Sequence, residues 1–131
     1  MIPQVDFMPA KLRTGVDLIE IDRFTSACER HGARLLERLF TPDELIENRG
    51  KTASLAARFA AKEAVTKALG TGIGKISWHD IEITRGSAGE PVLKLLGTAK
   101  DQAESLGLNV WSLSLSHTQN HAIAFVVAMG E

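Results

Sequence analysis

The stretch ARFAAKEAVTKALGTG, Ala57–Gly72, decides how the chain is read. Alanine is the strongest helix former, and no proline interrupts the run. The helix starts near Thr52. Leu69 followed by Gly70 is a stop signal, because glycine takes the left-handed conformation that ends helices. At about 100° per residue, Leu55, Phe59, Val65 and Leu69 fall on one apolar arc. Ala56, Ala57, Ala60, Ala61, Ala64 and Ala68 fall opposite. A helix apolar on nearly every side is normally buried. Yet Arg58 and Lys62 project from inside the apolar arc, and Glu63 and Lys67 share a third direction. Two explanations stand at this point. In one, Glu63 and Lys67 form a surface pair while Arg58 and Lys62 run their stems out to water. In the other, the charges face a cleft where an anionic ligand meets the cations and a metal meets the carboxylate. The adjoining GTGIGK adds loop amides of the kind that cradle phosphate, without the spacing of a Walker loop.

Outward from this helix, TGVDLIEI (Thr14–Ile21) reads as a strand with Asp17, Ile19 and Ile21 on one face. Met1–Arg13, with Pro3 and Pro9, reads as an irregular N-terminal extension, leaving residues 14–131 as a single domain. Ser26 and Glu29 suggest a capping box that opens a helix running to about Leu39. Thr41, Pro42 and Glu44 make a stronger start for a short helix to about Asn48. DIEIT (Asp80–Thr84) and PVLKLL (Pro91–Leu96) are strands joined by the turn-rich RGSAGE. GTAKDQAESLG is a helix ending at Gly107. In NVWSLSLSH, Trp111, Leu113, Leu115 and His117 share one strand face, and Ala122–Met129 is the last strand. This mixed order predicts an α+β fold with mainly antiparallel pairing.

The 131 residues suffice for one domain with a real core, and a net charge of −1 argues against a general nucleic-acid binder. Cys28 is the only cysteine, which excludes an intrachain disulfide and fits a half-buried helical thiol. The apolar run AIAFVVAM is too short to cross a bilayer as a helix, and no secretory signal pattern is visible. A cytoplasmic protein without membrane attachment is expected.

Asp17 lies mid-strand among Val16, Leu18, Ile19 and Ile21, where a carboxylate is costly unless paired. A structural salt bridge would satisfy it. So would a Mg²⁺ ion shared with Glu63, since two carboxylates with water and phosphate oxygens suit that hard cation. His117 reads by itself as a strand-end residue, and His31, His79 and His121 as surface or packing residues.

TGVDLIEIDRF, ARFAAKEAVTKALGTGIG and SLSHTQNHAIAFVVA together resemble the holo-acyl-carrier-protein synthases, the small class of 4′-phosphopantetheinyl transferases. DIEI and GEPVLKL fit as well, so the resemblance runs from about Gly15 to Met129. It implies the 4′-phosphopantetheinyl transferase fold, a mainly antiparallel sheet packed against a long central helix. It implies transfer of 4′-phosphopantetheine from coenzyme A to a serine of apo-acyl carrier protein, with Mg²⁺ required. Asp17 and Glu63 match the metal ligands of the family, and Lys67 matches its phosphate-contacting lysine. Arg58, Gly70, His117 and Thr118 match positions around the nucleotide and phosphates, and Pro91 a proline near the adenine. Glu63, Asp17 or a metal-held water are open alternatives for taking the serine proton.

Arg30, Arg34 and Arg38 recur every fourth residue and so form one basic stripe on the helix, with Arg23 just before it. By resemblance, this first helix docks an acidic helix of carrier protein through arginines, with Leu35 as an apolar contact. The resemblance also implies a homotrimer with active sites between subunits.

Overall fold

The alanine-rich segment is the central helix of the fold, α3 (Thr52–Leu69), and twelve of its eighteen residues are buried. The computed structural model describes residues 11–130. A strand β1 (Lys11–Glu20) leads into α1 (Ile21–Leu39) and α2 (Pro42–Glu47) before α3. A short 3₁₀ turn (Trp78–Asp80) then enters the hairpin β2 (Ile81–Arg85) and β3 (Pro91–Leu95). Helix α4 (Gly97–Ser105) and the hairpin β4 (Val110–His117) and β5 (His121–Gly130) complete the chain. The pairing is antiparallel throughout these strands, in a three-stranded sheet of order β1-β5-β4 and a separate β2-β3 pair.

Small residues let α3 lie close to the larger sheet. Its Ala60, Ala61, Ala64 and Ala68 form one core with Ala124, Val126 and Ala128 of β5. A Cβ added at Gly15 of β1 would collide with the backbone carbonyl of Ala64, so only glycine fits there. Toward its N-terminus, Leu55, Ala56 and Ala57 pack with Ile21, Phe24 and Leu39 of α1. Gly70 ends the helix with φ of 73°, as its position after Leu69 predicts.

The capping box forms at α2. Thr41 accepts from the Glu44 amide at 3.3 Å, and Glu44 Oε1 accepts from the Thr41 amide at 2.8 Å. Glu44 is itself fully buried, and it faces Lys62 of α3. Lys62 does not run its stem to water: its side chain is 0 % exposed, with Nζ 2.7 Å from Glu44 Oε1. The other two ammonium protons go to the carbonyls of Trp78 at 2.9 Å and Ile81 at 2.6 Å. Glu44 Oε2 accepts from the Ile83 amide at 2.9 Å. Burial pushes the Lys62 ammonium down from its usual range, and the Glu44 charge opposes that push. A buried ion pair with its remaining lone pairs and protons satisfied is the one arrangement in which such burial is tolerable.

Four expectations for the chain's first third are corrected. Lys11–Arg13 are not part of an irregular arm but pair with Gly130, Met129 and Ala128 in the sheet. Residues 1–10 of that predicted extension lie outside the described residues. Ile21 is not the end of the strand but the first residue of α1, buried in the core. The capping box at Ser26 does not form, because α1 starts five residues earlier with no side-chain cap. Within α1, Gly32 adopts φ 64° and ψ −152°, which breaks the helix in two. Arg30, Arg34 and Arg38 therefore do not form one continuous helical stripe.

The Gly15 contact makes a direct test. Gly15→Ala forces backbone apart at the α3–β1 contact, and overpacking of this kind costs about 3 kcal/mol. The expected result is a correspondingly lower urea midpoint at fixed protein concentration.

Candidate functional site

A cleft of about 780 Å³ opens between the end of β1, α1, α3 and Trp78. Asp17 and Glu63 both line it. Asp17 reaches it from the α3-facing side of β1, where it pairs in register with Ala124. Glu63 follows directly on the clamped Lys62. The aromatic wall is a chain of contacts, Phe24 to Phe59 at 5.8 Å and Phe59 to Trp78 at 5.2 Å between ring centroids. Arg23, Arg30 and Arg38 line the α1 side together with Leu35. Arg34 is not among the lining residues.

Lys67 pairs with Asp17 and not with its helix neighbour Glu63. Its Nζ donates to Asp17 Oδ1 at 3.0 Å and to the Val16 carbonyl at 2.9 Å. Asp17 is thus ion-paired, as the structural alternative expects. Among the described residues Glu63 makes no ion pair. Burial pushes its carboxyl up, the Asp17 charge adds to that, and Lys67 opposes it. Two carboxylates that repel each other in a half-buried cleft are a place where a cation lowers the energy. No group of three or more His, Cys, Asp or Glu suited to a metal occurs among the described residues. Two carboxylates in a cleft with room for water and phosphate oxygens are a donor set of the kind Mg²⁺ takes. This set does not fit a structural zinc site.

A second, smaller cleft of about 210 Å³ gathers Arg58, Pro91 and His117, with Ser54, Leu115 and Arg85. Arg58 is 6 % exposed. Its Nη1 donates to the Ser54 carbonyl at 3.3 Å, while its Nε is buried with no partner. Burial pushes the guanidinium down, and the Arg85 charge adds to that effect. Arg85 is anchored to α2, with Nη1 3.0 Å from the Glu47 carbonyl and Nη2 3.1 Å from Asn48 Oδ1. Two close guanidiniums, one incompletely bonded, favour an anion. Thr118 closes the β4–β5 turn, its Oγ1 accepting from the amides of Asn120 at 3.3 Å and His121 at 3.1 Å.

The chain thus brings Asp17, Glu63 and Lys67 together, and separately Arg58, Pro91 and His117. It does not bring the two sets together. β1 and β4 flank β5, so Asp17 and His117 stand on opposite edges of the sheet, about 10 Å or more apart at strand spacing. Gly70 sits at the far end of α3, where a Cβ would meet Arg13 Nη1 at 3.2 Å. Two residues escape the sequence reading. His121 lines the larger cleft, and Arg85 the smaller. His121 carries no spacing signal, and Arg85 reads as part of a turn.

Residues 13–126 match the family model of the 4′-phosphopantetheinyl transferase superfamily. A holo-acyl-carrier-protein synthase from Herpetosiphon aurantiacus is 48% identical, over 91% of this chain and 99% of its own. One from Desulforudis audaxviator is 52% identical, over 91% and 93%. The crystal structure of the Helicobacter pylori holo-acyl-carrier-protein synthase in complex with coenzyme A is similar with a TM-score of 0.80 at 34% identity. That match covers 88% of this chain and 98% of the other.

The raised Glu63 carboxyl fixes a pH dependence. An acid whose folded pKa lies above its unfolded value binds more protons in the native state. Stability therefore falls as pH rises through that window, and the loss persists above it. In metal-free buffer Glu63→Gln should be more stable than the wild type at neutral pH. The difference should vanish below about pH 4, where the carboxyl is protonated in both states. Thermal melts across pH check this.

Proposed function

The chain belongs to the 4′-phosphopantetheinyl transferase superfamily and, within it, to the holo-acyl-carrier-protein synthases, and from this premise we propose how its residues carry the reaction. 4′-Phosphopantetheine moves from coenzyme A to a serine hydroxyl of apo-acyl carrier protein. The bond from serine oxygen to phosphorus forms as the bond to adenosine 3′,5′-bisphosphate breaks, and the serine proton passes to Glu63, Asp17 or a water beside them. The observation that carries the assignment of roles is the pairing of Asp17 and Glu63 in one cleft with Lys67 beside them.

Asp17 and Glu63 would hold Mg²⁺, and the ion would supply charge neutralisation of the diphosphate and Lewis-acid polarisation of the phosphoryl group. Lys67, half exposed next to Asp17, supports the charge that builds on the departing bisphosphate. Gly70 lets the chain turn beside the phosphates without a side chain in the way. Arg58, His117 and Thr118 bind the nucleotide and its phosphate, and Pro91 packs near the adenine. The unpartnered Arg58 Nε supports this role. Arg23, Arg30, Arg34 and Leu35 receive the carrier protein. The basic wall of the large cleft supports the first two of these and Leu35, and such charges speed and orient encounter.

A homotrimer unites the two half-sites. On the outer face of the sheet the β1–β5 part is apolar and exposed: Leu12, Val16 and Leu18 are 49–65% exposed, opposite Met129, Phe125 and Ile123, while β4 turns Ser112, Ser114 and Ser116 to that side. An apolar face of this continuity marks an interaction surface. A closed ring built on it sets the nucleotide half-site of one protomer against the carboxylate half-site of the next. The setting proposed is the cytoplasm, in support of fatty-acid synthesis. The lone Cys28 suits that compartment, and no helix among the described residues is long and apolar enough to cross a membrane.

Mass spectrometry of apo-carrier protein incubated with enzyme, coenzyme A and Mg²⁺ should show the phosphopantetheine mass gain. Its absence under conditions where a known transferase works would refute the assignment. Glu63→Gln and His117→Ala are each expected to abolish most transfer. Co-assembled in equal amounts they should regain about a quarter of wild-type activity, because random rings place intact halves together at that frequency. No regain would refute shared sites. Arg30→Glu should raise KM for the carrier, more so at low salt, and leave KM for coenzyme A nearly unchanged.

A further inference from the structure

Helix α3 packs on the sheet through alanines and Gly15. Such a surface permits close approach, but it offers few knobs to stop the helix rotating or sliding, because apolar attraction has no direction. Directional bonds fix the helix from two sides: Lys67 ties it to β1 through Asp17 and the Val16 carbonyl, and Lys62, buried on the side away from the sheet, ties it to the elements behind. The three Lys62 ammonium protons bind three separate elements: Glu44 of α2, the Trp78 carbonyl of the 3₁₀ turn and the Ile81 carbonyl of β2. Glu44 is fixed in turn by the amides of Thr41 and Ile83. The residues around Lys62 on α3 build the large cleft. Phe59 lies one turn before it and meets Trp78, and Glu63 follows it directly.

We propose that Lys62 is a positioning residue for the transfer reaction: its three-way clamp fixes the rotation of α3 and so aims Glu63 at Asp17. Lys62 touches no substrate, since its side chain is wholly enclosed. The inference rests on the assignment of Asp17 and Glu63 as joint ligands of a divalent cation. A misaimed carboxylate weakens the ion and misaligns the diphosphate, and displacements of about 1 Å in such sites cost about 100-fold in rate. None of the three groups that Lys62 Nζ binds belongs to α1, where the carrier is proposed to dock.

The test compares wild type with Lys62→Met/Glu44→Gln, which removes both buried charges together. Lys62→Gln/Glu44→Gln serves if the first does not fold. A Leu108→Ala variant, altered in the core away from both clefts, is the control for lost stability. All are assayed well below their melting temperatures. Mn²⁺ binding in the presence of coenzyme A is read by electron paramagnetic resonance, and kcat and carrier KM by transfer. The expected result for the double variant is Mn²⁺ affinity weakened about tenfold and kcat lowered about tenfold or more, with carrier KM within about twofold. Leu108→Ala, despite its lower stability, keeps Mn²⁺ affinity and kcat. A double variant that matches wild type in both would overturn the proposal and leave the clamp a stability element. A double variant that loses no more than Leu108→Ala loses would overturn it equally. If wild type itself binds no Mn²⁺ with coenzyme A, the carboxylate assignment fails first, and the inference with it.

Discussion

Helix α3 lies so near the sheet that the Ala64 carbonyl occupies the space a side chain at residue 15 would take. The rest of the architecture answers to that contact. Both faces must be small, so β5 offers Ala122, Ala124 and Ala128 inward while α3 offers its alanines. Larger and charged groups are displaced to the flanks of the helix. On one flank Glu63 and Lys67 meet the Asp17 edge of the sheet. On the other, near the helix start, Arg58 meets the His117 edge. One close contact thus sends the chemistry in two directions.

Some local signals were legible, although the Ser26–Glu29 pair misplaced the start of α1, and distant ones were not. The Thr41–Glu44 capping box and the Gly70 stop depend on residues a few positions apart, and both form as read. The alternation of Trp111, Leu113 and Leu115 needs only the pleat. By contrast, Ile21 continues the β-branched pattern of the strand and gives no hint that its amide turns to the Asn120 carbonyl as α1 begins. Gly32 breaks α1, yet a single glycine inside a helical pattern is often tolerated. Lys62 looked free to reach water because its partner Glu44 sits on another helix, and the two other acceptors are backbone carbonyls that any residue would provide. The exposure of Val16, Leu18 and Phe125 was hidden because strands that face a partner and strands that face a core read alike.

Family membership and geometry supply different parts of the account. The superfamily match over residues 13–126 carries the reaction. The geometry explains why these residue types serve it. Glu63 lies near the Asp17 charge and makes no ion pair among the described residues, and Arg58 is buried with its Nε unpartnered. The proposed roles rest on these two features: a carboxylate without an ion pair on one flank of α3 and a buried guanidinium with a free donor on the other.

The most direct measurement is a crystal structure of the assembled protein with coenzyme A and Mn²⁺, using anomalous scattering to locate the metal. The account predicts one Mn²⁺ peak between the Asp17 and Glu63 carboxylates, touching the diphosphate, with the nucleotide against Arg58 and His117 of the adjacent protomer. A nucleotide held wholly within one chain, or a diphosphate bound with no ion between those carboxylates, would contradict it.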